Sequence, residues 1–125
     1  MDSNHKTTII AVVDDLFFVS KIGETARRAG VAVEFATSED KLMTLAAQKP
    51  SLIILDLNLN GLKPLPLIGR LKAHPDLDKT TLLGFVSHVQ GELKMKAQKA
   101  GCDMVLARSS FSQSLPLILK RHSGA

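Results

Sequence analysis

The chain has 125 residues, 45% hydrophobic and 22% charged, enough for one domain with its own core and too apolar for a disordered segment. No apolar run approaches the roughly 20 residues of a membrane helix. Residues 1–6 lack the apolar stretch of a secretory signal. The single cysteine, Cys102, excludes an internal disulfide and points to a reducing cytoplasm. The 16 Lys and Arg against 12 Asp and Glu give a net charge of +4. With no Trp or Tyr, and the five Phe in apolar contexts, there is little for bases to stack on, so no direct nucleic-acid role is expected.

Residues 7–13 (TTIIAVV) form an apolar, β-branched run of the kind buried on both faces of a parallel sheet. Phe18, Ile22, Ala26 and Ala29 then recur at helical spacing, with Lys21, Glu24, Arg27 and Arg28 on the opposite side and Gly30 as the stop. Residues 31–36 (VAVEFA) predict a second strand. Ser38 offers a cap to a helix whose stripe is Leu42, Leu45 and Ala46 and which Pro50 ends. Residues 51–57 (SLIILDL) are the most apolar strand candidate, followed by a loop at 58–61. Leu65, Ile68 and Leu71 mark a third helix with Pro64 and Pro66 near its start, where a missing N–H costs little. His74, Pro75 and Asp76 break it. Residues 82–86 (LLGFV) predict a fourth strand, 92–100 a helix with Leu93, Ala97 and Ala100 inward, and 104–107 (MVLA) a fifth strand. Leu115, Ile118 and Leu119 mark a last helix ending at 120–122.

Strands alternating with helices at this spacing imply right-handed βαβ units and a parallel sheet covered on both faces. The expected architecture is an α/β three-layer sandwich, flavodoxin-like (βα)5, with strand order 2-1-3-4-5. That order reverses between the first and third strands, and ligands bind outside their carboxyl ends. Asp14 and Asp15 follow the first strand and Asp56 ends the third. Carboxylates brought together repel and raise one another's pKa. A hard divalent cation, Mg²⁺ or Mn²⁺, would relieve that repulsion, and an Asp beside such an ion suits phosphoryl chemistry. Each Asp alone would read as a helix cap or turn residue; the functional reading rests on their joint placement at the switch point. Ser87 after the fourth strand could donate to a phosphoryl oxygen, and Arg108 after the fifth could pair with it. His88 reads as a solvated loop residue, and His5, His74 and His122 lack metal-ligand spacing. Cys102 reads as a small packed residue, and Lys94, Lys96 and Lys99 as a solvated face.

VVDD at 12–15, ILDLN at 54–58, Ser87, and KAGCD at 99–103 resemble, in order and spacing, the receiver domain of bacterial two-component response regulators. The resemblance spans nearly the whole chain and implies a single domain over 1–125, with 1–6 flexible and 123–125 a tail, of the stand-alone chemotaxis type. It implies that Asp56 is the phosphoacceptor, that Asp15 binds Mg²⁺ directly and Asp14 through water, and that the main-chain carbonyl of Asn58 also binds the ion. Ser87 matches the hydroxyl residue that follows the phosphoryl group during switching. The partners implied are a sensor histidine kinase or phosphotransfer protein and an output protein on the face formed by helix 4, strand 5 and helix 5. Such a receiver is not a classical enzyme; at most it catalyses its own phosphorylation and dephosphorylation.

The sequence departs from the family pattern after strand 5, where Arg108 and Ser109 replace Lys and Pro. Arg keeps the charge but presents a longer planar fork. The family's Lys-Pro bond is typically cis, and a cis bond without proline costs about 2.5–4 kcal/mol, so a trans, reshaped loop is expected at Ser109 and Ser110. Val105 stands where an aromatic switch residue is common, and Asn60 where a proline is usual. These departures define the alternative: a phosphorylation-independent pseudo-receiver acting as a protein-binding module. An Asp-nucleophile phosphohydrolase would need a second acid two residues after Asp56, where Asn58 stands.

Overall fold

The apolar runs form five parallel strands: β1 (Ile9–Val12), β2 (Val33–Phe35), β3 (Leu52–Asp56), β4 (Thr81–Val86) and β5 (Met104–Ala107). In this computed structural model, residues 8–59, 61–87 and 91–123 are described. The expectations for residues 1–6, Asn60, His88 and residues 124–125 lie outside them. The sheet order is β2-β1-β3-β4-β5, as the alternating pattern predicts. The register aligns Ile9 with Leu52 and Val12 with Leu55, then Asp56 with Phe85 and Val86 with Ala107.

Between the strands lie α1 (Leu16–Ala29), α2 (Glu39–Ala46), α3 (Pro64–Ala73), α4 (Gly91–Ala100) and α5 (Arg108–Arg121), with a short 3₁₀ turn at Pro75–Leu77. Alternate strand residues face opposite layers. Ile10, Val12, Ile53 and Leu55 pack with Leu42 of α2, Leu67 and Leu71 of α3 and Ala97 of α4. Ile9, Ala11, Ile54 and Phe85 pack with Phe18 and Ile22 of α1 and Phe111 and Leu115 of α5. Both sheet faces are therefore buried, which explains why the strands read as unbroken apolar runs. Truncating a central residue such as Ile54, which is fully buried, to Ala would cost about 2–5 kcal/mol.

Local chemistry sets the helix ends. Gly30 closes α1 at φ 70°, its N–H donating to Ala26 and Arg27 carbonyls. The Ser38 hydroxyl accepts from the Lys41 N–H at the start of α2. Pro64 opens α3. The edge strand β2 is shorter than the 31–36 run: Val33, Glu34 and Phe35 pair with β1, and the Ala36 N–H adds a last bond to the Ala11 carbonyl. Similarly, Val13 lies past β1, Ser51 and Leu57 flank β3 with backbone bonds to its neighbours, Thr81 joins β4, and α4 begins at Gly91.

The largest correction concerns the segment after β5. Ser109 and Ser110 do not form a loop: α5 begins at Arg108, with extended Ala107 (φ −68°, ψ 153°) as its N-cap. No cis peptide occurs among the described residues. Pro116 lies inside α5, where its ring supplies no N–H to the Ser112 carbonyl. The spacing of Leu115, Ile118 and Leu119 gave no sign of that interruption. Burial of all three leucine-type residues and of Phe111 holds the helix despite it. Among the described residues, no helix is long and apolar enough to cross a membrane.

Candidate functional site

The carboxyl ends of β1, β3, β4 and β5 present Asp14 and Asp15, Asp56, Ser87 and Arg108 respectively. Asp15 is the N-cap of α1, its Oδ1 accepting from the N–H groups of Phe17 at 2.9 Å and Phe18 at 3.3 Å. The cap reading of Asp15 is thus correct, and any metal would share this carboxylate with the helix. Asp14 is exposed.

Asp56 is only 2% exposed. Its Oδ1 accepts the Asn58 N–H at 2.9 Å, and its Oδ2 stands 3.8 Å from Nη2 of Arg108. Burial is the main force on this carboxyl and pushes its pKa above the ordinary value. The Asn58 N–H and the Arg108 charge oppose that rise; the Asp15 and Asp14 charges add to it. The acids thus act on Asp56 electrostatically. They do not converge as closely as the sequence suggests: among the described residues, no three His, Cys, Asp or Glu side chains gather around one metal position.

Arg108 is the first residue of α5, where a cation opposes the helix dipole. The Asp56 carboxylate and the ring of Phe18, 5.3 Å below the guanidinium carbon, offset that cost. Phe18 in turn packs against Phe85 at 4.8 Å and Phe111 at 6.0 Å between centroids, while Phe85 and Phe111 stack at 4.5 Å. The Nε of Arg108 is buried and has no hydrogen-bond acceptor among the described residues.

Ser87 belongs to the same cluster through Asn58. The Asn58 side-chain oxygen accepts from the Ser87 N–H at 3.0 Å and from its hydroxyl at 3.4 Å. Asn58 therefore ties the end of β3 to the end of β4 with its side chain, beyond the carbonyl role the resemblance implies. That side-chain role, the Phe18 platform, and the exposed apolar pair Leu16 (84%) and Phe17 (64%) beside Asp15 were not apparent in the sequence. An Asn two residues past a strand-end Asp was the available signal for the first.

The remaining candidates lie elsewhere. Val105 is 4% exposed and packed in the core layer of α2, α3 and α4. Cys102 is buried, and burial pushes its thiol pKa up, as befits a packed residue. The Nδ1 of His74 accepts the Asp76 N–H and caps the 3₁₀ turn. Lys94, Lys96 and Lys99 are exposed on α4, with Lys96 3.4 Å from Glu92.

The fold is that of the receiver domains of response regulators. The chemotaxis response regulator CheY4 of Vibrio cholerae superposes with a TM-score of 0.78 at 20% identity, covering 92% of this chain and 97% of that one. The receiver domain of a sensor histidine kinase from Pseudomonas aeruginosa, which has a magnesium ion coordinated in its active site cleft, superposes at 0.78 with 21% identity, covering 95% and 98%. A response regulator from Burkholderia pseudomallei, bearing a phosphorylated aspartic acid, a calcium ion and citrate, superposes at 0.76 with 24% identity, covering 90% and 66%. No family model and no curated protein matches the sequence.

Proposed function

We propose that this chain is a two-component receiver that accepts a phosphoryl group on Asp56 from a phosphohistidine of a sensor kinase or phosphotransfer protein. The observation that carries the reading is a buried carboxylate at the sheet's switch point with an arginine beside it whose Nε has no acceptor among the described residues. That unpaired donor suits an added oxyanion. The exposed Leu16 and Phe17 lie at the rim a donor protein must approach. A bacterial, cytoplasmic setting belongs to the same proposal.

The residues present fit a hard divalent cation. The donors are oxygen only, and the charges of Asp14 and Asp15 bear on the raised carboxyl of Asp56. Asp15, Asp56 and the Asn58 carbonyl would hold Mg²⁺, with Asp14 acting through water. When bound, the ion would neutralise phosphoryl oxygens. An Asp56 carboxylate oxygen attacks phosphorus as the bond from phosphorus to the donor imidazole nitrogen breaks, and the imidazole departs with that electron pair. Arg108 supplies paired N–H groups to the transferred oxyanion, and the Ser87 hydroxyl leaves Asn58 to donate to it.

The test is incubation with a small phosphodonor, such as a phosphoramidate, with and without Mg²⁺, followed by intact mass. The expected result is one phosphoryl adduct that requires Mg²⁺ and is lost in Asp56→Asn. An unmodified wild-type protein would favour the phosphorylation-independent binding module instead.

A further inference from the structure

A groove of about 540 Å³ runs between α1 and α5, on the side of these helices away from the sheet's carboxyl end. Its cations are Lys21 and Arg28 of α1 and Lys120 of α5; its apolar lining is Ala29, Pro116 and Leu117. Among the described residues, no Asp or Glu lines it. Arg28 has a partner at its edge, Glu24 at 3.6 Å, and Glu24 is held more closely by Arg27 at 2.8 Å. Among the described residues, Lys21 and Lys120 take part in no ion pair. Leu117 is 59% exposed and lines this groove.

Both walls follow parallel strands and so run in the same direction. From Lys21 to Arg28 the α1 wall extends about 10 Å, two helical turns. A channel of that length between two helices, lined by apolar and by positive side chains, matches a third helix laid into it. Its electrostatics select acidic residues toward Lys21, Arg28 and Lys120 and small or branched apolar residues toward Leu117 and Pro116. Nucleic acid fits less well, since among the described residues no aromatic side chain lines the groove to stack on a base. Pro116 adds a further feature. It supplies no helical N–H to the carbonyl of Ser112, a residue that also lines the groove.

We propose that the α1–α5 groove is a docking surface for an acidic amphipathic helix of a partner protein. This surface is separate from the face of α4, β5 and α5 that the family resemblance implies for output, and the proposal does not depend on phosphorylation of Asp56.

The test uses a synthetic helical peptide of about 18 residues, with Glu on one face and Leu and Ala on the other, titrated into the full chain and followed by amide NMR. Shifts should map to residues around Lys21, Arg28, Pro116 and Lys120. Lys21→Glu with Lys120→Glu should weaken binding about tenfold or more, whereas Lys41→Glu on α2 should not. Leu117→Ser, at an exposed position, should also weaken it. The proposal is overturned if no shifts occur at millimolar peptide, if they map to α4 and β5, or if the matching Lys peptide binds equally well. It is also overturned if a single-stranded oligonucleotide displaces the Glu peptide from the same amides.

Discussion

The guanidinium carbon of Arg108 lies 5.3 Å over the ring of Phe18, a contact that joins the first turns of α1 and α5 beside Asp56. It holds the arginine near the carboxylate while its Nε has no acceptor among the described residues. A double-mutant cycle of Phe18→Leu and Arg108→Ala, read by urea unfolding, should give a coupling of about 0.5–1 kcal/mol. Phe18→Leu alone should cost about 1–2 kcal/mol through its lost contacts with Phe85 and Phe111. Additivity within about 0.3 kcal/mol would show that the two side chains merely coincide.

Asp56 should make the protein less stable at neutral pH. Its folded-state pKa lies above the unfolded value because burial disfavours the charge. Its contribution is therefore fully present below the unfolded pKa and is lost as pH rises through the raised folded value. Asp56→Asn should stabilise the metal-free protein at neutral pH by about 1 kcal/mol, or about 4 °C in melting temperature. The gain should shrink as pH falls below that folded value. A pH-independent gain, or a loss, would contradict this assignment.

Asp15 behaves differently because it caps α1. Asp15→Ala should cost about 1 kcal/mol in thermal or urea unfolding, whereas Asp15→Asn, which keeps an accepting oxygen, should be nearly neutral. Both variants should lose Mg²⁺-dependent amide shifts at Asp14, Asp15 and Asn58 in an NMR titration. Unchanged metal shifts in both would remove Asp15 from the metal site.

Asn58 should set the position of Ser87, since its side-chain oxygen accepts from both the N–H and the hydroxyl of that residue. Asn58→Ala should cost about 1 kcal/mol and should slow phosphorylation by a small phosphodonor. Asn58→Asp, which preserves the acceptor, should restore the Ser87 amide shift. An unchanged Ser87 amide in Asn58→Ala would rule out the tether.

Much of this was legible because a parallel sheet buried on both faces writes itself as apolar runs. Residues 104–107 form β5 as their pattern predicts, and Asp56 and Arg108 stand at strand ends. The run of Arg108, Ser109 and Ser110 misled because resemblance to a loop pattern outweighed local helix geometry. The structure needs only an extended Ala107 to start α5. Pro116 was missed because flanking leucines keep helical spacing across it. The Phe18 contact with Arg108 could not be read at all, since it joins residues 90 positions apart, and side-chain geometry of that kind leaves no periodicity. The three acids were placed correctly at their strand ends, but capping by Asp15 and exposure of Asp14 determine where those side chains point.

The central claim is that Asp56 carries the phosphoryl group. Its most direct test is borohydride reduction of the phosphodonor-treated protein, which converts an acyl phosphate to an alcohol, followed by peptide mass mapping. The account predicts one reduced residue, at position 56, dependent on Mg²⁺ and obtained in lower yield with Arg108→Ala. Reduction at Asp14 or Asp15, or none at any acid in the folded protein, would contradict it.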